Sequence, residues 1–512
     1  MAILDLFKKR KKLVNKQRGF DGAGTGRLLA DFKSIQQSAD SELKTNLRTL
    51  RNRARQLARN NDYANRYLQL MRDNVVGSRG ITLQNKARSD RINGFDTIAN
   101  VVIEEGWRDW GFKQTCSADG KLTWLDAQNL FMETWARDGE VLIEIIETKP
   151  TPENKYGFSI RFLEADYLDE DYNEILNNGN SIRMGVEINS FGRPLAYHLC
   201  TTNPADTQFP NVRSKKYQRI NANRLIHAYR INRPEATRGI PPMSVAMVDL
   251  QMLGKYMEAE LVASRISASS MGVIKQSGDY VGDGVEDDYT PTISLEAGTF
   301  QKLDPNQEMT MFDPTHPTSQ FETFTKTTLR SIASGLGVSY TSLANDLEGV
   351  SYSSIRQGAL EERDYYKGMQ KWMIDNFMGV VYKRWLQHSL TVGALQPFGA
   401  NAPLPASKFD QFHRPRWQPR GWQWVDPQKE STAIAMQLNN GLITMQDALN
   451  FYGRDVQDHF EQITLEKQMA ENMDIKTAFE PFGGGQSAFG SSKIDPFLDK
   501  SNEDFTEDEN ED

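Results

Sequence analysis

The spacing of apolar residues changes several times along the chain. In the first part they recur every three or four positions, as expected for one face of a helix. This spacing predicts one or two helices over "ELKTNLRTLRNRARQLARNNDYANRYLQLMRDNVVG", and more in "DTIANVVIEEGWRDWGF" and "LDAQNLFMETWARDGE". The first segment carries an apolar stripe among its arginines, formed by Leu47, Leu50, Leu57, Leu68 and Met71.

A strand-type pattern follows these helices. Runs rich in β-branched and aromatic residues are "VLIEII", "FSIRFLEADYL", "SIRMGVEINSFGRPLAYHLC" and "RLIHAYRI". The "NSFGRP" within the third run is typical of a hairpin, because Asn, Gly and Pro favour turn conformations. Helices followed by strands predict an α+β unit that ends near residue 240.

Two long helical segments are predicted beyond that point. The first, "GIPPMSVAMVDLQMLGKYMEAELVASRISASSMGV", begins with prolines, and its roughly thirty residues would form a helix about 45 Å long. The second, "PTSQFETFTKTTLRSIASGLG", has Ser319 and Glu322 at capping-box spacing, and Gly335 and Gly337 at its end. The positions predicted to pack this helix pair are Met247, Leu250, Gly254, Met257, Leu261, Phe321, Phe324 and Ile332.

An acidic insert separates these two helices. From Gln276 to Gln301 it contains no Lys, Arg or His. Its acids include Asp279, Asp283, Glu286, Asp287 and Asp288. A helix, a β-type insert and a returning helix predict a stalk with a small head.

The rest of the chain is mostly helical in pattern. "YSSIRQGALEERDYYKGMQKWMIDNFMGVVYKRWLQ" predicts a long helix, and "RPRWQPRGWQWVDPQKE" an aromatic, proline-rich connector whose tryptophans fill gaps between packed domains. Stacking of these aromatics on single-stranded bases is the alternative interpretation. Two or three short helices follow, and "FGGGQSAFGSSK" with the acidic end predicts a disordered tail.

The net charge of −8 conceals a polarity along the chain. Residues 1–72 carry 17 Lys or Arg against 6 Asp or Glu, whereas the last twenty residues carry 9 acids against 2 bases. The remaining residues are therefore near −12. The basic segment could bind nucleic acid or another acidic surface, or could simply be a solvated helix face.

The motifs of most enzyme classes are absent from the sequence. There is no GxxxxGK[ST], HExxH or GxSxG, and Cys116 and Cys200 have no zinc-type spacing. "GAGTG" follows no hydrophobic strand, so we expect no cofactor there. No run of about eighteen apolar residues predicts a membrane span. We therefore expect no enzyme, cofactor, metal or membrane, although a metal-dependent nuclease using the acids of 279–296 is an alternative.

The order of several segments resembles the lambda-type portal proteins of tailed bacteriophages. The resemblance lies in "RGFDGAGTGR", "LRNRARQLARNN" with "NVVGSRGITLQ", "WARDGEVLI", "GVEINSFGRPLAYHL", "RLIHAYRINRPEATRGIPP", "DLEGVSYSSIRQGALEERD" and "WVDPQKE". Each segment is modest alone, but together they span about residues 19–470 in the same order. The insert and the tail carry none of these motifs.

This resemblance implies a portal-type α+β fold in the following order. A basic arm (1–45) would precede an α/β wing (46–240 and 354–425), whose two parts flank a two-helix stem (241–272 and 317–337). The stem would carry a small β-containing clip (273–316) and be followed by a tunnel loop (338–353). An α-helical crown (426–475) and a disordered acidic tail (476–512) would end the chain.

The resemblance also implies a function in the virion. Portal proteins of this type form a ring, typically of twelve copies, at one capsid vertex, assembled in the host cytoplasm, with double-stranded DNA passing through the axis. The implied partners are the terminase large subunit, head-completion or adaptor proteins, and the major capsid and scaffold proteins. The acids of the insert would form the docking surface of the clip.

The stretch "SLANDLEGVSYSSIRQG" would then lie at the tunnel loop. Glycines at 335, 337 and 349 would give it mobility. The residues predicted to face DNA are Ser339, Tyr340, Thr341, Asn345, Asp346 and Glu348. An ordinary buried helix connection is the alternative for this stretch. For the whole chain, the alternatives are a metal-dependent DNA-processing enzyme and a monomeric nucleic-acid-binding module.

Overall fold

A computed structural model describes the conformation of most of the 512-residue chain. The described residues are 27, 35–89, 94–206, 208, 216–268, 272–276, 307–311, 320–349, 351–422, 427–451 and 456–473. They form two compact units, Met1–Trp422 and Gln423–Asp512.

The first unit begins with helices, as the apolar spacing predicted. The long predicted segment forms two helices because Asn61 leaves the helical conformation and caps the second one, accepting a hydrogen bond from the backbone N–H of Ala64 at 3.0 Å. A π-helical turn, Arg72–Val76, follows. The helices are α1 (Ala39–Asn60), α2 (Asp62–Met71), α3 (Thr97–Trp110), α4 (Lys113–Cys116) and α5 (Trp124–Asp138).

Strands β1 to β9 of the first unit belong to three antiparallel sheets. The strands are β1 (Thr82–Asn85), β2 (Glu140–Glu147), β3 (Phe158–Leu163), β4 (Glu174–Ile175), β5 (Ser181–Arg183), β6 (Val186–Ile188), β7 (Pro194–Cys200), β8 (Tyr217–Asn221) and β9 (Leu225–Tyr229). Strand β2 lies between β3 and β9, and β4 to β8 form a meander. The predicted hairpin joins β6 to β7. Strands β1, β4 and β8 were not predicted, since they are short or mostly polar.

The core of the first unit is aromatic. The ring of Trp107 lies 4.7 Å from that of Trp110, 5.0 Å from that of Trp124 and 5.1 Å from that of Trp385. Trp110 satisfies its buried indole by donating a hydrogen bond to the carbonyl of Phe158 at 2.8 Å. Helices α3 and α5, and the helix Gly379–Thr391 that carries Trp385, are therefore joined to sheet β3-β2-β9 through one hydrophobic core.

The first stem helix is shorter than the sequence predicted. Helix α6 runs from Met247 to Ala268, so its 22 residues span about 33 Å rather than 45 Å. The adjacent prolines do not start it. Pro242–Val245 form a separate 3₁₀ turn, closed by a hydrogen bond from the N–H of Ala246 to the carbonyl of Met243 at 3.0 Å.

The described ends of the insert are β-strands and the returning segment is a helix, as predicted. Strands β10 (Gly272–Gln276) and β11 (Gln307–Met311) pair antiparallel, and α7 runs from Phe321 to Leu336. Gln320 stands at the N-cap of α7 and makes no side-chain cap hydrogen bond. Gly337 ends the helix at φ +72°, whereas Gly335 lies inside it. Ser319 and the acids Asp279, Asp283, Glu286, Asp287 and Asp288 lie outside the described residues.

The segment 338–353 is not one continuous loop. A short helix, α8 (Tyr340–Ala344), follows α7 directly, and α9 (Tyr352–Met373) starts soon after. The predicted long helix continues through a π-helical turn, Ile374–Met378, into α10 (Gly379–Thr391).

The aromatic connector contains a short helix and a strand that pairs within the unit. Helix α11 (Phe409–Phe412) leads to β12 (Pro415–Gln418), which pairs antiparallel with β1. The ring of Trp417 lies 6.2 Å from that of Trp107 and 5.9 Å from that of Tyr382, so it packs against the core of the first unit, whereas the sequence predicted that it fills a gap between domains.

The second unit consists of three helices among its described residues. They are α12 (Pro427–Asn439), α13 (Met445–Phe451) and α14 (Val456–Asn472), in agreement with the two or three short helices predicted. Thr444 caps α13 and accepts a hydrogen bond from the N–H of Asp447 at 3.2 Å. The predicted basic arm before residue 35, apart from Arg27, and the acidic tail lie outside the described residues.

Candidate functional site

The segment between α7 and α9 is shaped by two backbone turns. Gly337 ends α7 in the left-handed region, and Ser339 then caps α8 by accepting a hydrogen bond from the N–H of Ser342 at 3.1 Å. Asn345, at φ +53°, ends α8. Asn is among the few non-glycine residues that adopt this conformation readily. An exposed tip, residues 345–349, therefore follows a short helix.

A carboxylate on α9 holds α8 in place. Glu362 accepts hydrogen bonds from the hydroxyls of Ser339 at 3.1 Å and Ser342 at 2.8 Å. It also accepts one from Tyr366 at 2.8 Å, and burial raises the pKa of that phenol. Hydrogen bonds to a charged acceptor are stronger than neutral ones. The hydroxyl of Ser339, predicted to face DNA, is thus occupied by a contact within the chain.

The tip is tied to α7 by one lysine. The ammonium of Lys326 lies 2.6 Å from the carboxylate of Glu322, 3.6 Å from that of Asp346 and 3.4 Å from that of Glu348. These contacts raise the pKa of Lys326. We call the contacts of Lys326 with Asp346 and Glu348 the lysine latch. It offsets much of the negative charge that the sequence predicted for the tip.

Tyr340 supports the latch from α8. Its hydroxyl donates a hydrogen bond to Asp346 at 2.6 Å, and this bond keeps the pKa of Asp346 below its usual value. Partial burial, together with the same bond, raises the pKa of Tyr340 to about 12. The guanidinium of Arg330 lies 5.3 Å from the centre of the Tyr340 ring, within cation–π range.

The predicted DNA-facing residues therefore differ in their exposure to solvent. Asn345 and Glu348 are exposed, whereas Ser339, Tyr340, Thr341 and Asp346 are half-buried. Leu347, which was not singled out, is 64% exposed at the tip.

The predicted stem positions also fall into two groups. Met247, Leu250 and Ile332 are buried, and Met257 is partly buried against the same core. Phe321 and Phe324 flank the ring of Tyr256 at 5.7 and 5.1 Å, so they lie between the stem helices, while Gly254 lies beside Asn61. Leu261 is 71% exposed and Phe324 53% exposed.

Sequence reasoning missed a buried ion cluster that joins distant segments of the first unit. Arg51 donates to Glu140 at 3.3 Å and to Glu170 at 2.5 Å, and Arg238 makes two hydrogen bonds with Glu140 at 2.5 and 2.8 Å. Burial disfavours ionised Glu140, but the Arg238 guanidinium overrides it and keeps the pKa of Glu140 below its usual value. The available signal was helical phase, since Arg51 lies on the same face of α1 as Leu47 and Ala54.

Among the described residues, no group of His, Cys, Asp and Glu is arranged to hold a metal ion. In that same part of the chain, no helix is long and apolar enough to cross a membrane.

The fold defines an α+β protein whose chain leaves one body through a helix, forms a β insert and returns through a second helix. A family model described as "Phage portal protein, lambda family" matches residues 25–370 of this chain. The chain belongs to the lambda family of phage portal proteins.

Several named relatives agree with this assignment. "Probable portal protein" of Halomonas phage phiHAP-1 is 34% identical, over 90% of this chain and 87% of that protein. "Portal protein" of Escherichia phage N15 is 23% identical over 94% of both chains. "Portal protein B" of Escherichia phage lambda is 22% identical over 92% of both.

Solved structures of gene transfer agent particles were also found. A chain of the neck of an empty particle, computed with C6 symmetry, is 13% identical with a TM-score of 0.46, covering 84% of this chain and 100% of that one. A chain of a native virion is 12% identical with a TM-score of 0.44, covering 82% and 96%.

Proposed function

We propose that this protein forms a twelve-copy ring at one vertex of a phage capsid, and that double-stranded DNA is packaged and ejected through the ring. The proposal is supported by the membership of the portal family, whose model matches residues 25–370. The observation that carries the assembly step lies in the stem.

Helix α6 is apolar around most of its circumference. Leu250 and Leu253 are buried, yet Val248 is 63%, Met252 64% and Leu261 71% exposed on the single chain. A helix with apolar residues on all sides is normally buried on all sides. We infer that neighbouring copies cover these exposed apolar residues. Repeating one such heterologous contact closes a ring if the rotation between copies allows it.

Imaging and mass measurement test the ring directly. Negative-stain images of the purified protein should show rings with a central hole, and native mass spectrometry should give twelve times the chain mass. A protein that stays a single 58.2 kDa chain under assembly conditions would contradict the proposal.

The charge of the chain favours passage of DNA over capture. Outside residues 1–72 and the last twenty, the chain is near −12, so a dense lining of Lys and Arg is not expected. Each neutralised phosphate strengthens DNA binding by releasing counterions, so a poorly cationic wall lets the duplex slide.

We further propose that the tip at 345–349 is mobile and contacts the DNA as it passes through the ring. Deleting all of 342–349 would also remove Ser342 and the buried Leu343, which anchor α8. Replacing only 346–348 with glycines therefore separates the tip from its anchor. If rings form and DNA is packaged and retained as in the unmodified particle, the tip has no such role.

The proposed partners follow from the same assembly. We propose that the terminase large subunit docks during packaging, head-completion or adaptor proteins dock afterwards, and capsid and scaffold proteins surround the wing in the host cytoplasm. The acids from Asp279 to Asp288 are the proposed docking surface. Charge-neutral variants at Asp287 and Asp288 should weaken co-purification of a partner while leaving the ring intact.

We propose that the protein acts through shape and charge and cleaves no bond. A plasmid-nicking assay with magnesium or manganese tests this, and any protein-dependent nicking would favour the nuclease alternative.

A further inference from the structure

The π-helical turn Arg72–Val76 ends beside a segment that is remote from it in the chain. Gly77 ends the turn at φ +75°, a conformation that favours glycine, and donates its N–H to the carbonyl of Arg72 at 3.2 Å. The carbonyls in the last turn of a helix have no partner within that helix. Residues 420–422 lie against these carbonyls, although Arg420 comes 347 positions after Asp73. We call residues 420–422 the strap.

Two side chains of the strap cap the π-helical turn. The guanidinium of Arg420 donates hydrogen bonds to the backbone carbonyl of Asp73 and to Oδ1 of Asn74, the latter at 3.3 Å. The indole of Trp422 donates to the same oxygen of Asn74 at 3.4 Å. A cation is favourable at this end of a helix because the carbonyl dipoles point toward it. The approach is close, since a Cβ at Gly77 would lie 2.8 Å from Cδ of Arg420.

Helix α9 joins the strap to the π-helical turn. Gln370 is 3% exposed, and its amide donates one hydrogen bond to the carbonyl of Val75 at 3.2 Å and one to the carbonyl of Arg420 at 3.0 Å. One helical turn earlier, the ring of Tyr366 lies 6.2 Å from that of Trp422, with 22° between their planes. Rings at this distance attract each other. The strap therefore packs on the face of α9 that carries Tyr366 and Gln370.

Tyr366 connects the strap to α8. Its side chain is buried, and its hydroxyl donates a hydrogen bond to Glu362 at 2.8 Å. Glu362 is the carboxylate that accepts the hydrogen bonds of Ser339 and Ser342 and so anchors α8. When a buried ring loses a packing neighbour, it can relax into the vacated space. Loss of the Trp422 ring would thus move the phenol that orients Glu362.

We propose that the strap regulates how firmly α8 is held. While the strap lies on the π-helical turn, Trp422 positions Tyr366, and Tyr366 positions Glu362 as the anchor of α8. When the strap leaves, this anchor weakens. The strap ends the first unit, and the chain continues from it directly into Gln423 of the second unit, so a pull on the chain there acts first on the strap. The effect on DNA rests on the tip contact proposed above, whereas the coupling itself does not.

Amide hydrogen exchange in the full-length protein tests the coupling. The reporters are the amides of residues 342 and 343, which are hydrogen-bonded to Ser339 at 3.1 and 3.0 Å. The test variant is Trp422→Ala. The matched control is Phe409→Ala, which removes another partly buried ring packed against the same core. The ring of Phe409 stacks on that of His413 at 5.2 Å and belongs to α11.

We expect Trp422→Ala to speed exchange at the two reporters by roughly threefold or more, and Phe409→Ala to leave it unchanged. Exchange in the core helix α5 should not change in either variant, which separates the coupling from a general loss of stability. Tyr366→Phe keeps the ring but removes the hydroxyl, so it should act like Trp422→Ala. Combining the two should add little, because both act through the same hydrogen bond to Glu362.

A gentler variant keeps the test available if Trp422→Ala does not fold. Arg420→Gln removes the exposed guanidinium without opening a cavity and should also speed exchange at 342 and 343. Equal exchange in the strap variants and in Phe409→Ala, or full additivity with Tyr366→Phe, would overturn the proposal. The measurement requires no DNA and no ring, so its failure and that of the proposed function are distinguishable.

Discussion

Among single residues, two glycines allow the segments around residues 139 and 240 of the first unit to lie against each other. Gly139 follows α5 at φ +85°, and a Cβ there would lie 2.2 Å from the carbonyl carbon of Ile240. A Cβ at Gly239 would lie 2.3 Å from the carbonyl oxygen of Gly139. The motifs "WARDGEVLI" and "PEATRGIPP" therefore meet backbone to backbone, beside the ion pair of Glu140 and Arg238.

This contact predicts unequal costs for two glycine substitutions. Gly139→Ala should destabilise the protein by roughly 2–5 kcal/mol, from backbone strain plus overpacking. Gly179→Ala is the matched control, because Gly179 has φ +82° but nothing within 4 Å of the added Cβ. It should cost only about 1–2 kcal/mol. Urea unfolding followed by tryptophan fluorescence measures both, and equal costs would show that the close approach is unimportant.

Glu187 predicts an acid-dependent loss of stability. Its carboxylate accepts hydrogen bonds from Arg219 at 2.7 Å and lies 3.2 Å from His198, and these contacts lower the pKa of Glu187 to about 2. Because the folded pKa is depressed, the stabilisation is present above the ordinary value near 4.5 and is lost as the pH falls toward 2.

The expected size is about 1–2 kcal/mol, because solvent screens the half-exposed Arg219. Glu187→Gln should flatten the stability profile between pH 4.5 and 2, and Arg219→Gln should do the same. Thermal melting across this range is the measurement, and an unchanged slope in both variants would contradict the assignment.

At the scale of elements, the segment between α7 and α9 combines a fixed part with a tied part. Helix α8 is anchored through Glu362, whereas the tip at 345–349 is held mainly by the lysine latch and by Tyr340. Exposed ion pairs contribute little free energy each, so the tip should open far more easily than α8.

Breaking the latch should free the tip alone. Lys326→Gln should speed amide hydrogen exchange at 346–349 several-fold and leave 340–344 protected. Lys371→Gln is the matched control, since Lys371 also forms an exposed helical ion pair, with Asp375 at 3.1 Å, away from the tip. Exchange at the tip that responds equally to both substitutions, or to neither, would show that the latch does not hold it.

For the whole molecule, the exposed apolar residues of α6 form the surface on which the proposed ring depends. Leu261→Asp should leave the folded chain intact, because Leu261 is 71% exposed, but should abolish rings by placing a charge at the contact between copies. Phe191→Asp is the control, at an even more exposed apolar residue on the hairpin between β6 and β7.

Size-exclusion chromatography with light scattering distinguishes the two variants. We expect Leu261→Asp to elute as small species and Phe191→Asp to elute as rings. Rings in both variants would remove α6 from the interface.

The order of helices and strands, the hairpin and the family could be predicted from sequence, because apolar periodicity and turn residues act over a few neighbouring positions. The start of α6 could not, since the apolar pattern continues through Pro242–Val245 although the backbone there forms a separate 3₁₀ turn. Nor could strand β12, because its partner β1 lies more than 300 residues earlier.

By itself, the sequence of this protein determined which segments are helical or extended, where charge accumulates, and which family it belongs to. Only the tertiary structure decided that Arg51 and Arg238 share Glu140, that Gly139 lies against Ile240, and that Lys326 holds the tip. These contacts join residues far apart in the chain. Local patterns record the conformation of a segment, whereas its partner is set by how all segments pack around one core.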